Sequence, residues 1–153
     1  MRLLKKSQYN ECNELYYKAI IAEQEGDIER YLDNMTTSAT LGNVDALYTV
    51  GTWYNDGLEG FAKSTKQALK FFSLAYKRGH AMAAHEAGSI YEHGDGVSQD
   101  MNRAFKCYQI SAYLGANVAL LALSRCYLEG LGTQKNKEMS ELLYYHYFKN
   151  IEL

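Results

Sequence analysis

The glycines of this 153-residue chain fall into columns. Gly42, Gly79 and Gly115 stand 37 and then 36 residues apart, and Gly57, Gly94 and Gly130 keep the same two intervals. Gly60, Gly96 and Gly132 repeat at 36. Other side chains hold the register: Tyr54, Tyr91 and Tyr127; Ala46, Ala83 and Ala119; Phe72, Tyr108 and Tyr144; Ala68, Ala104 and Ser140; Gly51, Gly88 and Ser124. One extra residue in the loop Gly57-Leu58-Glu59-Gly60 accounts for the longer interval. A period of this size describes a supersecondary unit that cannot bury its apolar face alone and must stack on its neighbours, so a solenoid of repeated units is expected.

The chain has no proline, against the usual ~5%, which leaves glycine as its main helix breaker. Ala46, Val50 and Tyr54, like Ala83, Ala87 and Tyr91, fall at i, i+4 and i+8 along one side of a helix. This predicts A helices near 44–55, 81–92 and 117–128. Ala68, Phe71, Phe72 and Ala75, repeated as Ala104, Cys107, Tyr108 and Ser111, predict B helices near 64–78, 99–114 and 135–149. Gly79 and Gly115 lie just past helix ends, where a left-handed cap favours glycine. Gly51 and Gly88 lie inside helices, where glycine is about 1 kcal/mol worse than alanine. Their recurrence implies that a neighbouring helix approaches too closely for a side chain. Glu14 to Ile21 and Ile28 to Leu41, either side of Gly26-Asp27, read as an N-terminal capping pair over residues 1–42. The units then span 43–79, 80–115 and 116–151 of one domain, and at the far end Ile151 replaces the glycine of its column.

A net charge of −2 gives no reason to expect nucleic acid or an anionic membrane as partner. The basic start Met1-Arg2-Leu3-Leu4-Lys5-Lys6 lacks the apolar run of a secretory signal. The best apolar stretch, Ala112 to Leu123, contains Asn117 and is shorter than the ~18 residues of a membrane span. Cys12, Cys107 and Cys126 are too few for a disulfide framework, so buried reduced thiols in a cytoplasmic protein are expected. A bridge between Cys107 and Cys126, on successive helices, depends on their separation. Asn34-Met35-Thr36 fits a glycosylation sequon, which has no meaning without secretion. Gly94-Asp95-Gly96 lacks the third glycine of a dinucleotide loop, and it joins two helices instead of following a strand.

The stretches Ala46-Leu47-Tyr48-Thr49-Val50-Gly51-Thr52-Trp53-Tyr54, Tyr91-Glu92-His93-Gly94-Asp95-Gly96-Val97 and Ala104-Phe105-Lys106-Cys107-Tyr108 leading to Gly115 resemble the Sel-one-like repeat family. That family is a branch of the tetratricopeptide-type helical solenoids. The chain departs from it in the missing proline after the Gly-x-Gly loop, the inserted residue of the first loop, and Ser124 and Ile151 in glycine columns. The resemblance implies an all-α, right-handed α/α solenoid of about four antiparallel helix pairs, and a non-enzymatic adaptor that binds a protein or peptide and needs no cofactor or metal. Small bacterial members resemble immunity proteins that neutralise a secreted toxin, which makes a toxin or effector the most concrete form of partner.

The resemblance also places the A helices along an inner, concave face. His85, Ser89 and Glu92 share one side of the second A helix, with Glu86 and His93 alongside. The same column carries Tyr48, Thr49, Thr52 and Asn55 in the first unit and Leu121, Ala122, Arg125 and Leu128 in the third. Variation here, amid constant core columns, is what a binding face on a repeat scaffold looks like. The expected partner contacts are Tyr48, Thr49, Thr52, His85, Glu86, Ser89, Glu92 and Arg125. Two other classes stay open: a hydrolase-like groove around His85, Glu86 and Glu92, and self-association through the aromatic helix of Leu142, Leu143, Tyr144, Tyr145, Tyr147 and Phe148. For that helix the plainer reading is a cap folded back on its own repeat, since tyrosine can bury its ring and keep its hydroxyl wet.

Overall fold

Polar caps and left-handed glycines cut the chain where the columns place the breaks. The computed structural model describes residues 6–150, in eight helices with no strand among the described residues. They are α1 (Lys6–Glu25), α2 (Ile28–Leu41), α3 (Val44–Asp56), α4 (Thr65–Tyr76), α5 (Ala81–His93), α6 (Met101–Tyr113), α7 (Val118–Glu129) and α8 (Lys137–Lys149). Ile151 and the first five residues, on which two sequence readings rest, lie outside the described residues. Asn43, Asp100 and Asn136 each accept the backbone N–H three residues on and start α3, α6 and α8. Gly79 and Gly115 take φ of +102° and +96°, the left-handed geometry expected of them.

Each A–B loop closes in one way. The N–H groups of Ser64, Asp100 and Asn136 donate to the carbonyls of Tyr54, Tyr91 and Tyr127, at 2.7, 2.8 and 2.8 Å. The donors are 36 apart and the acceptors 37 and then 36, so the bond is a property of the repeat and absorbs the inserted residue of the first loop. Gly94 and Gly96 belong to such a connection between two helices, as their sequence context implies.

The chain divides between Ala75 and Tyr76 into two compact units. In the first, Cys12, Ala19 and Ala22 form the buried face of α1, and the Ser38 hydroxyl on α2 donates to the Cys12 carbonyl at 2.6 Å. The helix is longer than the expected Glu14–Ile21 because its buried residues are small and carry little hydrophobic signal. Trp53 of α3 meets Tyr31 edge-on at 5.4 Å. The fully buried Phe72 ring of α4 lies against Gly51, where an added Cβ would stand 2.7 Å from ring carbon Cε1. The close approach read from the helical glycines is therefore real.

The second unit repeats the device with a change. Tyr108 of α6 lies against Gly88 of α5 at the same 2.7 Å. Ala104, Phe105, Tyr108, Leu123 and Cys126 form the core that joins these helices to α7. In the next pair Ser124 occupies the glycine column, and its hydroxyl donates to the Ser140 carbonyl at 2.8 Å. The ring of that column, Tyr144, is 51% exposed.

Cys107 and Cys126 are unpaired and buried, and Cys12 is buried too. Burial pushes the Cys107 thiol up to about 11 and the Cys126 thiol in the same direction, which suppresses the reactive thiolate. Iodoacetamide at mildly alkaline pH is expected to leave the native protein unmodified and to label all three thiols once denaturant is added. Intact mass counts the labels, and prompt labelling of the native protein would contradict this packing.

Candidate protein-binding groove

A cleft of about 550 Å³ opens in the second unit between α5 and α7, with Tyr108 and Tyr144 contributing from α6 and α8. Its polar side begins at Gly88. Because that residue has no side chain, the Tyr108 ring crosses α5 there, and its hydroxyl emerges one turn further along, donating to Glu92 Oε2 at 2.7 Å. Arg125 of α7 donates from Nη2 to the same oxygen at 2.6 Å. The pair is unevenly covered: the Glu92 side chain is 12% exposed and that of Arg125 43%.

Burial alone would raise the Glu92 carboxyl, but the hydrogen bonds from Arg125 and Tyr108, with the guanidinium charge, outweigh it and hold the group below its ordinary 4.5. The Tyr108 phenol is held well above the ordinary tyrosine range, first by burial and then by its bond to Glu92. Glu92 is therefore ionised in the native state at neutral pH. A carboxyl depressed by folding contributes stability that is present above its unfolded value and lost as pH falls through the native one. Glu92→Gln is expected to cost about 1–2 kcal/mol at neutral pH. Urea titrations should show this difference shrinking below pH 4.5 as wild-type Glu92 takes up its proton. A difference constant down to pH 3 would mean that the ion pair is not its source.

The structure brings His85, Glu92 and Arg125 of the expected contacts into one cleft. The His85 ring packs 5.4 Å from that of Tyr108, and its buried Nδ1 has no hydrogen-bond partner. Glu86 and Ser89 lie on α5 outside the cleft lining, and the Ser89 carbonyl accepts from His93 Nδ1 at 2.8 Å. Tyr48, Thr49 and Thr52 are half-buried on α3 in the first unit. The Thr49 and Thr52 hydroxyls donate to the Asp45 and Thr49 carbonyls of their own helix. The opposite wall is apolar, with Leu121, Leu128 and Tyr144 exposed by 38, 54 and 51%. No group of three His, Cys, Asp or Glu side chains gathers as a metal site among the described residues.

Tyr108 is the site residue that sequence reasoning placed only in the core. The signal for its second role was present as a paired change between units. Where the first unit has Phe72 with Asn55, the second has Tyr108 with Glu92. A hydroxyl and a carboxylate occur together there, and the fold brings them into contact.

Helix pairs of fixed length, joined by identically closed loops and carrying a variable face, define a helical-repeat protein of the tetratricopeptide type. Residues 44–80, 81–115 and 117–145 each match the Sel1 repeat, and the chain belongs to that family of α/α solenoid proteins, whose repeats mediate protein–protein interaction. Chitin synthase regulatory factor 3 of Schizosaccharomyces pombe is 28% identical over 109 residues, covering 71% of this chain. The match spans only 12% of that protein's length. Among solved structures, a Sel1 repeat protein from Oxalobacter formigenes aligns with a TM-score of 0.71 at 26% identity, covering 79% of this chain and 90% of the other. The immunity protein Pa5087 from Pseudomonas aeruginosa aligns with a TM-score of 0.61 at 26% identity, covering 76% and 44%.

Proposed function

We propose that the chain is a non-enzymatic interaction module that holds a protein or peptide partner in the cleft of its second unit, through His85, Glu92 and Arg125. The observation that carries this reading is the juxtaposition of a pinned, solvent-facing guanidinium with an exposed apolar wall, the combination that anchors protein interfaces. Glu86 and Ser89 flank the cleft on α5; Tyr48, Thr49 and Thr52 on α3 are proposed as partner contacts of the first unit taken by itself. In its most concrete form the module neutralises a toxin by tight binding, a reading supported by the likeness to the Pseudomonas immunity protein.

Affinity co-purification from the native host tests this, comparing wild type with a folded His85→Ala, Glu86→Ala, Arg125→Ala variant. A partner recovered by wild type and lost by the variant is expected. Equal recovery would overturn the assignment of the cleft. Toxicity of that partner when expressed alone, relieved by co-expression of this chain, would identify it as a toxin.

A second reading, self-association, is favoured by the exposure of Tyr144, Tyr145 and Phe148 at 51, 60 and 44% on α8. Sedimentation at high concentration decides it. A monomer throughout would overturn it.

A further inference from the structure

The lining of the cleft constrains the chemistry of its partner. Leu121, Arg125 and Leu128 occupy i, i+4 and i+7 of α7 and therefore form one stripe, and Tyr144 of α8 lines the same cleft. In that stripe the guanidinium is held from behind by a carboxylate that is largely covered and already accepts two hydrogen bonds on one oxygen. Only one of the five N–H donors of Arg125 is bonded to Glu92 at hydrogen-bond distance, and 43% of the side chain remains exposed. The other ionisable groups lining the cleft are His85, His93 and the two tyrosines, with no second carboxylate. The unsatisfied valence of the cleft is thus cationic, and it is surrounded by apolar surface.

From this charge complementarity we infer that the cleft takes a peptide segment presenting a side-chain carboxylate to Arg125, with a large apolar side chain within one helical turn of it against Leu121, Leu128 and Tyr144. The inference rests on the interaction reading above and narrows it to an acidic, amphipathic partner segment. Glu92 acts as a positioning residue: it fixes the guanidinium before the partner arrives, so less side-chain freedom is lost on binding. A basic segment is disfavoured because it would meet Arg125 first and find Glu92 covered.

The test pans random linear peptides displayed on phage against the immobilised full chain. Enrichment of sequences with Asp or Glu within four positions of Leu, Ile, Phe or Trp is expected. A peptide made to the enriched consensus is then titrated calorimetrically. Arg125→Gln should weaken it by about tenfold or more, and replacing the peptide's acidic residue by its amide should do the same without touching the protein. Binding should weaken with added salt, while Arg103→Gln, outside the cleft lining, should leave it unchanged. Enriched peptides with no acidic residue, or full affinity for Arg125→Gln, would overturn the inference and leave the interaction reading intact. Capture of a host partner without any enriched peptide would overturn it too, since the partner would then be read as a folded surface. Failure of both experiments would remove the interaction reading itself.

Discussion

Phe72→Ala is expected to destabilise the first unit by about 4 kcal/mol. The ring is fully buried and rests on Gly51, so truncation leaves a void that the helix backbone beneath cannot close. The partner substitution makes the test specific. Gly51→Ala alone places a methyl 2.7 and 2.8 Å from two ring carbons, which forces α3 and α4 apart. That strain costs about 2 kcal/mol, against a gain of about 1 kcal/mol in helix propensity, for a net loss of about 1 kcal/mol. In the Phe72→Ala background the strain vanishes, and Gly51→Ala should stabilise by about 1 kcal/mol. A coupling of about 2 kcal/mol should therefore appear in the double-mutant cycle. The chain's one tryptophan, Trp53, lies buried in the same unit and reports its urea unfolding by fluorescence. Additive costs would mean that the ring does not depend on the glycine gap.

That pairing was readable from sequence because it needs only two columns, a glycine recurring inside a helix and an aromatic recurring in the next. The consequence of breaking a column was not readable in the same way. Continuity of the Phe72, Tyr108 and Tyr144 column suggests a third buried ring, yet Ser124 stands in the glycine column and bonds to Ser140, and Tyr144 is half-exposed in the lining of the cleft. One column thus supplies core positions in two units and a surface position in the third. Likewise, the helical spacing placed His85 and Glu92 on a common face, and the repeat register put Arg125 in the equivalent column. The Arg125–Glu92 bond, however, links residues 33 apart and depends on how α7 lies against α5, a distance that no periodicity contains. Tyr108 joined that site through its hydroxyl alone, while its ring obeyed the core pattern. The repeat column is set by the ring and is indifferent to the oxygen.

The same distinction between a column and its surroundings predicts unequal costs for Gly60→Ala and Gly132→Ala. Both glycines occupy one column and take left-handed φ, +79° and +66°, so alanine at either carries a backbone cost of about 1 kcal/mol. Gly60 has nothing within 4 Å of an added Cβ, and its substitution should cost no more than that. At Gly132 the methyl would run into the carbonyl oxygen of Met101, stand 2.6 Å from its carbon and 3.0 Å from Phe105 Cβ. Met101 opens α6, and Phe105 is buried edge-on against Tyr127, 5.4 Å away, so neither can yield without moving a helix. A total loss of about 3 kcal/mol is expected for Gly132→Ala, measured by urea titration with far-UV circular dichroism. Because the strained loop joins α7 to α8, its displacement should also shift the wall of Leu128 and Tyr144 relative to Tyr108 and weaken binding in the cleft beyond the loss of folded protein. Equal costs at the two positions would mean that the loop does not bear on α6. Unequal costs would show that a column recognisable as one motif holds the chain in a turn at one repeat and docks two helix pairs at another.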